Sequence, residues 1–218
     1  MSIITFYSAQ FIVGVPMLII LGSDTLKTPL IATIFSALVY VLSFLFLLLT
    51  FKHLKPLRAP VTRNELGFKD LVTFSDIGLA IAGLFGYLTF SAILTALFSV
   101  FPWFNLTENQ PLLYSTLISP LNKVFAAIAL VVVGPILEEV IYRGLIYGKL
   151  RKKHSLITSI LIVSILFGFL HGQWNVGVDI FALSVVACLM RETTGTIYAG
   201  IILHMLKNTI AFYLLFMA

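Results

Sequence analysis

Long, uninterrupted runs of apolar residues are the feature that most restricts the fold of this chain. A helix needs about 20 predominantly apolar residues to cross the hydrocarbon core of a bilayer. Seven apolar stretches are candidate spans, the fifth and sixth of them short: 2–22, 29–51, 74–100, 123–149, 156–172, 178–190 and 194–217. Their apolar residues are continuous and do not alternate by two, so a transmembrane β-barrel is not expected. The sequence predicts an all-α fold, a polytopic transmembrane helical bundle of about seven spans (six to eight).

The composition of the whole chain agrees with this class. Of 218 residues, 60% are hydrophobic and only 11% are charged, whereas a soluble domain carries about 25% charged residues. We therefore predict a single integral membrane domain over residues 1–218. The first apolar run lacks a basic n-region and is too long for a secretory signal, which favours a retained first span. Cys188 has no partner for an internal disulfide and is expected to be a small buried residue.

Lysine and arginine are concentrated in every second connection. The connections around 52–70 and 149–155 are strongly basic, and Arg191 follows the sixth span. The alternate connections are poor in basic residues: 22–28, 101–122 and 172–178. Since cytoplasmic loops carry the excess of basic residues, the pattern predicts a multi-pass protein of the cell membrane with a cytoplasmic N-terminus. It also accounts for the net charge of +5 without a nucleic-acid partner.

The fourth span carries ionisable groups at membrane depth. An acid or arginine at the centre of a membrane helix costs roughly 2.5–3.5 kcal/mol, so such groups usually face partners inside the bundle. Glu139 and Arg143 are four residues apart with the acid first, the favourable order for an ion pair on one helix face. Glu138 points about 100° away around the helix. We expect Glu139 to be neutralised and Glu138 to serve another role; the alternative is that both acids are paired structurally.

Two later spans add histidines. His171 ends the fifth span, and His204 and Asn208 lie four apart on one face of the seventh. Each alone is typical of an interface residue or an interhelical hydrogen bond. Lys207 is expected on a different face of the seventh span, and Asp76, before the third span, is expected to be an interface charge.

Together these side chains suggest hydrolysis by an activated water. An acid, two histidines and an asparagine supply a general base, a second proton-handling group and donors for an oxyanion. Alternatively, Glu138, His171 and His204 could bind zinc and leave a position for water. The sequence contains no His-Glu-x-x-His zinc helix, no Gly-x-Ser-x-Gly elbow and no Gly-x-Gly-Asp motif.

Three motifs resemble those of a known family. "EEVIYR" (138–143) matches Glu-Glu-x-x-x-Arg, "FGFLH" (167–171) matches Phe-x-x-x-His and "HMLKN" (204–208) matches His-x-x-x-Asn. In order and at membrane depth, they resemble the CPBP intramembrane proteases, also called the Abi or CAAX protease family. That family includes the Ras-converting CAAX prenyl endopeptidases, and many of its bacterial members are linked to bacteriocin self-immunity. The resemblance covers a core of about residues 120–218.

The resemblance implies roles for these residues. Glu138 and His171 would activate the attacking water, and His204 and Asn208 would hold the oxyanion. Glu139 and Arg143 would support them, and Phe167 would line the pocket. Family members have been described both as metalloproteases and as glutamate proteases. Because an asparagine suits an oxyanion better than a zinc site, the metal-free form is favoured, with zinc on Glu138, His171 and His204 as the alternative.

The implied activity is that of a bacterial intramembrane endopeptidase. Its partners would be membrane lipid and a membrane-associated or prenylated, CAAX-type peptide. The main alternative is a non-catalytic immunity protein of the same fold. A transporter with a proton relay is less favoured, because the chain has no inverted repeat.

Overall fold

The computed structural model describes residues 62–69, 71–108 and 120–217, together with scattered positions between 11 and 45. The predicted spans 2–22 and 29–51 lie largely outside the described residues, as does the basic segment 52–61. Within the described ranges every regular element is helical and there is no strand. The predicted all-α class is therefore confirmed.

Six helices lie within residues 62–69, 71–108 and 120–217. We label them α1 to α6: Arg63–Leu66, Phe74–Phe98, Pro120–Arg151, Leu156–Phe169, Trp174–Thr194 and Tyr198–Phe216. Helices α2, α3 and α6 are long and apolar enough to cross a membrane, and α4 is a shorter apolar helix. The last five predicted spans correspond to α2 through α6, so the chain is a multi-pass helical membrane protein.

Local side chains fix where several of these helices begin and end. Thr73 and Asp76 form a capping box at the start of α2, in which the Asp76 carboxylate accepts from the backbone N–H of Thr73 at 2.9 Å. The Asp76 side chain is buried, and its role is that of a helix cap. Ser155 caps α4, and Gly195 ends α5 in the left-handed conformation, which glycine adopts without strain.

Helix α3 is not a regular α-helix throughout. Residues Ile128–Val133 and Val140–Tyr147 are π-helical, and α-helical turns lie before, between and after them. A π segment has hydrogen bonds from i to i+5, is wider than an α-helix, and occurs frequently at functional sites. The second segment begins directly after Glu138 and Glu139 and contains Arg143.

The described residues divide into two compact units. One contains 120–137 and 208–217; the other contains 62–69, 71–108 and 138–207. In the second unit α5 packs against both α2 and α4. The α4–α5 contact is close at Gly168, where a β-carbon would lie 2.5 Å from the carbonyl oxygen of Gly177. Small residues of this kind let helix backbones approach within a membrane.

Connections that were expected on the same side of the membrane contact each other in this unit. At one end, Arg151 pairs with Glu192 at 2.7 Å and Lys152 pairs with Glu65 at 2.7 Å. The hydrogen bond from Lys152 lowers the pKa of the Glu65 carboxyl. Exposed pairs like these contribute little to stability, but they show that the basic connections lie together. Which side of the membrane they face stays a prediction.

The connections poor in basic residues also meet. The Asn175 amide donates to the carbonyl of Glu108 at 2.8 Å, and the rings of Trp103 and Trp174 are 5.1 Å apart. The predicted alternation of connections is thus reproduced in the packing of the described helices.

Candidate active site

A fully buried ion pair lies on α3. Arg143 Nη1 donates to Glu139 Oε1 at 2.8 Å, and both side chains are 0% exposed. The predicted pairing of these two residues is confirmed. His204 Nδ1 contacts the same Glu139 oxygen at 3.0 Å. Because a carboxylate only accepts hydrogen bonds, His204 donates through Nδ1–H, and the Glu139 carboxylate holds the ring in this orientation.

Glu138 faces the other nitrogen of the same imidazole. Its Oε2 lies 3.7 Å from His204 Nε2, and its side chain is 19% exposed. The two adjacent acids therefore differ in environment, as the helical spacing indicated: Glu139 is sealed inside the unit, whereas Glu138 is partly accessible. His204, at 2% exposed, lies between them.

His171 lies in the turn between α4 and α5. Its Nδ1 is 2.8 Å from the carbonyl oxygen of Phe167. A carbonyl accepts only, so Nδ1 carries the proton that it donates, and in the neutral ring the lone pair lies on Nε2. Gly172 has φ of +75°, a conformation that glycine adopts readily, and the chain turns there directly after the histidine.

Phe167 holds these groups in place. Its ring is 1% exposed and lies 5.1 Å from the His171 ring and 6.1 Å from the His204 ring, measured between centroids. The Arg143 guanidinium carbon lies 4.9 Å from its centroid, and the Tyr142 ring lies at 4.2 Å. One buried ring therefore joins α3, α4 and α6 at the level of both histidines.

An apolar cavity of about 490 Å³ is lined by Gly168 and Gly172, the chain neighbours of Phe167 and His171, and by none of the cluster's own residues. It lies among α2, α4 and α5, and it reaches Gly172, next to His171. Its walls include Phe98, Ile165, Phe169, Gly172, Val178 and Phe181.

Asn208 belongs to the other compact unit. Its side-chain amide donates to the carbonyl of Leu130, in the first π segment of α3, at 2.8 Å. Its expected place in an oxyanion site stays a prediction that rests on the motif.

The possible metal ligands do not form a ligand set in this arrangement. Among the described residues, no group of three or more His, Cys, Asp and Glu side chains could hold a metal ion. His204 and His171 each use Nδ1 in a hydrogen bond, to Glu139 and to a backbone carbonyl, and these bonds leave Nε2 of each ring available. Glu138, His171 and His204 as placed are not grouped as a metal-ligating set, and no step through a metal is derived below.

A second polar cluster was missed from the sequence. Asp179 on α5 accepts hydrogen bonds from Tyr87 at 2.6 Å and Ser91 at 2.7 Å, both on α2. The ammonium of Lys207 lies 3.5 Å from the other Asp179 oxygen. The sequence does contain an indication of this cluster. Asp179 is an acid inside the predicted span 178–190, and Tyr87 and Ser91 are four residues apart on one helix face.

These features define a class: a multi-pass helical membrane protein with carboxylates, imidazoles and an ammonium group clustered within its helices. Residues 120–210 match the family model described as Rce1-like, type II CAAX prenyl endopeptidase Rce1-like. The Bacillus subtilis (strain 168) protein named "Putative membrane peptidase YdiL" is 33% identical over 78 residues. That match covers 36% of this chain and 32% of the length of its relative. No solved structure matches the chain.

The resemblance drawn from the three motifs is thus confirmed over residues 120–210. This range contains every residue that the motifs singled out, from Glu138 to Asn208.

Proposed function

We propose that this chain is an intramembrane endopeptidase that hydrolyses a peptide bond of a membrane-associated peptide with an activated water. The observation that carries the proposal is the grouping of Glu138 and His204, on two helices apolar enough to cross a membrane, with His171 around the Phe167 ring. Charged and titratable groups in such helices are costly and are usually functional. The match to a peptidase family over the same residues supports this assignment.

Glu138 and His171 are the proposed bases. The partly exposed Glu138 carboxylate can meet a water, whereas the sealed Glu139 carboxylate cannot. The hydrogen bond to Phe167 leaves the His171 Nε2 lone pair free to accept a proton. In the proposed step a base takes one proton from water as the water oxygen bonds to the peptide carbonyl carbon. The captured proton then passes to the leaving amine as the C–N bond breaks.

His204 is the proposed donor to the oxyanion. Its Nδ1–H is committed to Glu139, which Arg143 holds in turn, so the ring presents Nε2 in a fixed direction. Donation from Nε2 as well requires the doubly protonated ring, whose positive charge would lie between the carboxylates of Glu138 and Glu139. Donors fixed in advance stabilise a developing negative charge without reorganisation. Asn208 is proposed as the second donor on the strength of its motif.

The substrate class follows from the family description and the cavity. A prenylated, CAAX-type peptide is the first substrate to try, with other membrane peptides after it. The apolar cavity beside Gly172 offers a place for an apolar part of the peptide. We propose that membrane lipid surrounds the protein and that nucleic acid is not a partner.

The first test is hydrolysis in ¹⁸O-labelled water. The protein in nanodiscs would be incubated with prenylated and unmodified apolar peptides, and the products would be identified by mass spectrometry. We expect one product to carry a single ¹⁸O in its new carboxylate, because water supplies that oxygen. Absence of cleavage across prenylated and unmodified peptides, together with protection of cells from a bacteriocin, would favour the non-catalytic immunity protein.

The second test concerns metal. Because the residues present do not form a metal-ligating set, we expect turnover to persist after treatment with 1,10-phenanthroline and EDTA. The measurement is the initial rate before and after chelation and after addition of Zn²⁺. Loss of turnover that Zn²⁺ restores would instead support the zinc alternative on Glu138, His171 and His204.

A further inference from the structure

Lys207 is a cation that the proposed mechanism does not use. It lies three residues after His204 on α6, within a helix long enough to cross the membrane. Its side chain is only 17% exposed. A cation at membrane depth needs an anion or a water-filled space, so its partner is informative.

The contact between Lys207 and Asp179 is long. The ammonium nitrogen lies 3.5 Å from Asp179 Oδ2, whereas charge-assisted bonds of this type are usually about 2.7–2.9 Å. The Asp179 charge is already stabilised at its other oxygen by short bonds from Tyr87 and Ser91. A lysine has three donors. Lys207 can therefore donate a hydrogen bond to a second anion, while Asp179 keeps its hydrogen bonds from Tyr87 and Ser91.

We propose that Lys207 binds a carboxylate of the peptide substrate, close to the scissile bond. The inference rests on the proposed function and narrows its substrate class to peptides that carry such a carboxylate. The group could be a free C-terminus or an acidic side chain, because the chemistry of recognition is the same. Asp179, fixed by α2, holds Lys207 about one helical turn from His204 and competes with the incoming anion.

Opposite effects of two variants separate this role from a structural one. K207M removes the cation and should weaken binding of an anionic peptide. D179N keeps an oxygen for Tyr87 and Ser91 but removes the competing charge, so it should strengthen binding. If the pair were only structural, both variants would act in the same direction.

The experiment compares matched peptides on the protein in nanodiscs. The probes are a fluorescein-labelled apolar peptide with a free C-terminus, its C-terminal amide, and versions of the amide that carry Glu or Gln beside the cleavage site. Both Kd, by fluorescence anisotropy, and KM and kcat are measured. Since a hydrogen bond to a charged group contributes enough for roughly a 10-fold change, the wild type should bind a carboxylate form about 10-fold more tightly.

The expected pattern is specific. K207M should lose that preference, K207R should keep it, and D179N should increase it; K153M, at an exposed lysine, is the matched control. If the wild type binds the free-acid peptide more tightly than its C-terminal amide, the recognised group is the C-terminal carboxylate. If it binds the Glu-containing amide more tightly than the Gln-containing amide, the recognised group is an acidic side chain. Equal Kd for charged and neutral peptides in the wild type, or parallel effects of K207M and D179N, would overturn the inference. Preferential binding without cleavage would overturn the proposed function alone.

Discussion

Replacing Glu138 with glutamine is expected to lower kcat by about 100- to 10,000-fold, the range that a general base contributes, and to leave the fold intact. The amide keeps the size of the side chain but cannot take a proton from water. His204 Nε2 lies 3.7 Å from Glu138 Oε2, beyond hydrogen-bond distance, so the exchange breaks no hydrogen bond to that nitrogen. Two quantities are measured: kcat for cleavage of the peptide, and the unfolding temperature of the variant in detergent.

A matched control is available at Glu108. This residue is exposed, in the connection after α2, and its backbone carbonyl accepts a hydrogen bond from Asn175. Glu108→Gln should retain full turnover. Full turnover in the Glu138→Gln variant would show that Glu138 is not the base. A large drop in its unfolding temperature would assign Glu138 a structural role.

The spacing of residues was sufficient to predict part of this site. The four-residue step between Glu139 and Arg143 predicted their ion pair, and the 100° offset placed Glu138 in a different environment. These predictions succeeded because both depend on one helix and its period. The π segment that contains Arg143 had no signal in the residue pattern, yet the pair forms across it.

The spacing of residues along the sequence does not predict which side chains of different helices contact each other. That His204 lies between the two carboxylates, and that the Phe167 ring joins both histidines to Arg143, depends on how α3, α4 and α6 pack. Asp179 lies outside all three motifs, so the motifs give no indication of its role. Membrane depth alone would have identified it.

Replacing Arg143 with methionine is expected to be the most destabilising single change in this region. Arg143 and Glu139 are both 0% exposed, and the arginine is a donor to Glu139 Oε1. Breaking a buried pair by removing one partner costs about 3–5 kcal/mol, because it leaves an uncompensated buried charge. The loss should appear as a lower unfolding temperature in detergent and a lower yield of folded protein.

A double variant tests whether the loss of stability comes from the Glu139 charge that is left without its partner. Arg143→Met combined with Glu139→Gln removes both charges and leaves an amide that can still accept from His204 Nδ1. Because replacing a whole buried pair by neutral groups is often tolerated, the double variant should be more stable than Arg143→Met alone. A double variant no more stable than the single one would mean that Arg143 acts mainly through its packing on the Phe167 ring, which lies 4.9 Å away. In that case the two effects would simply add, and the coupling energy of the double-mutant cycle would be near zero.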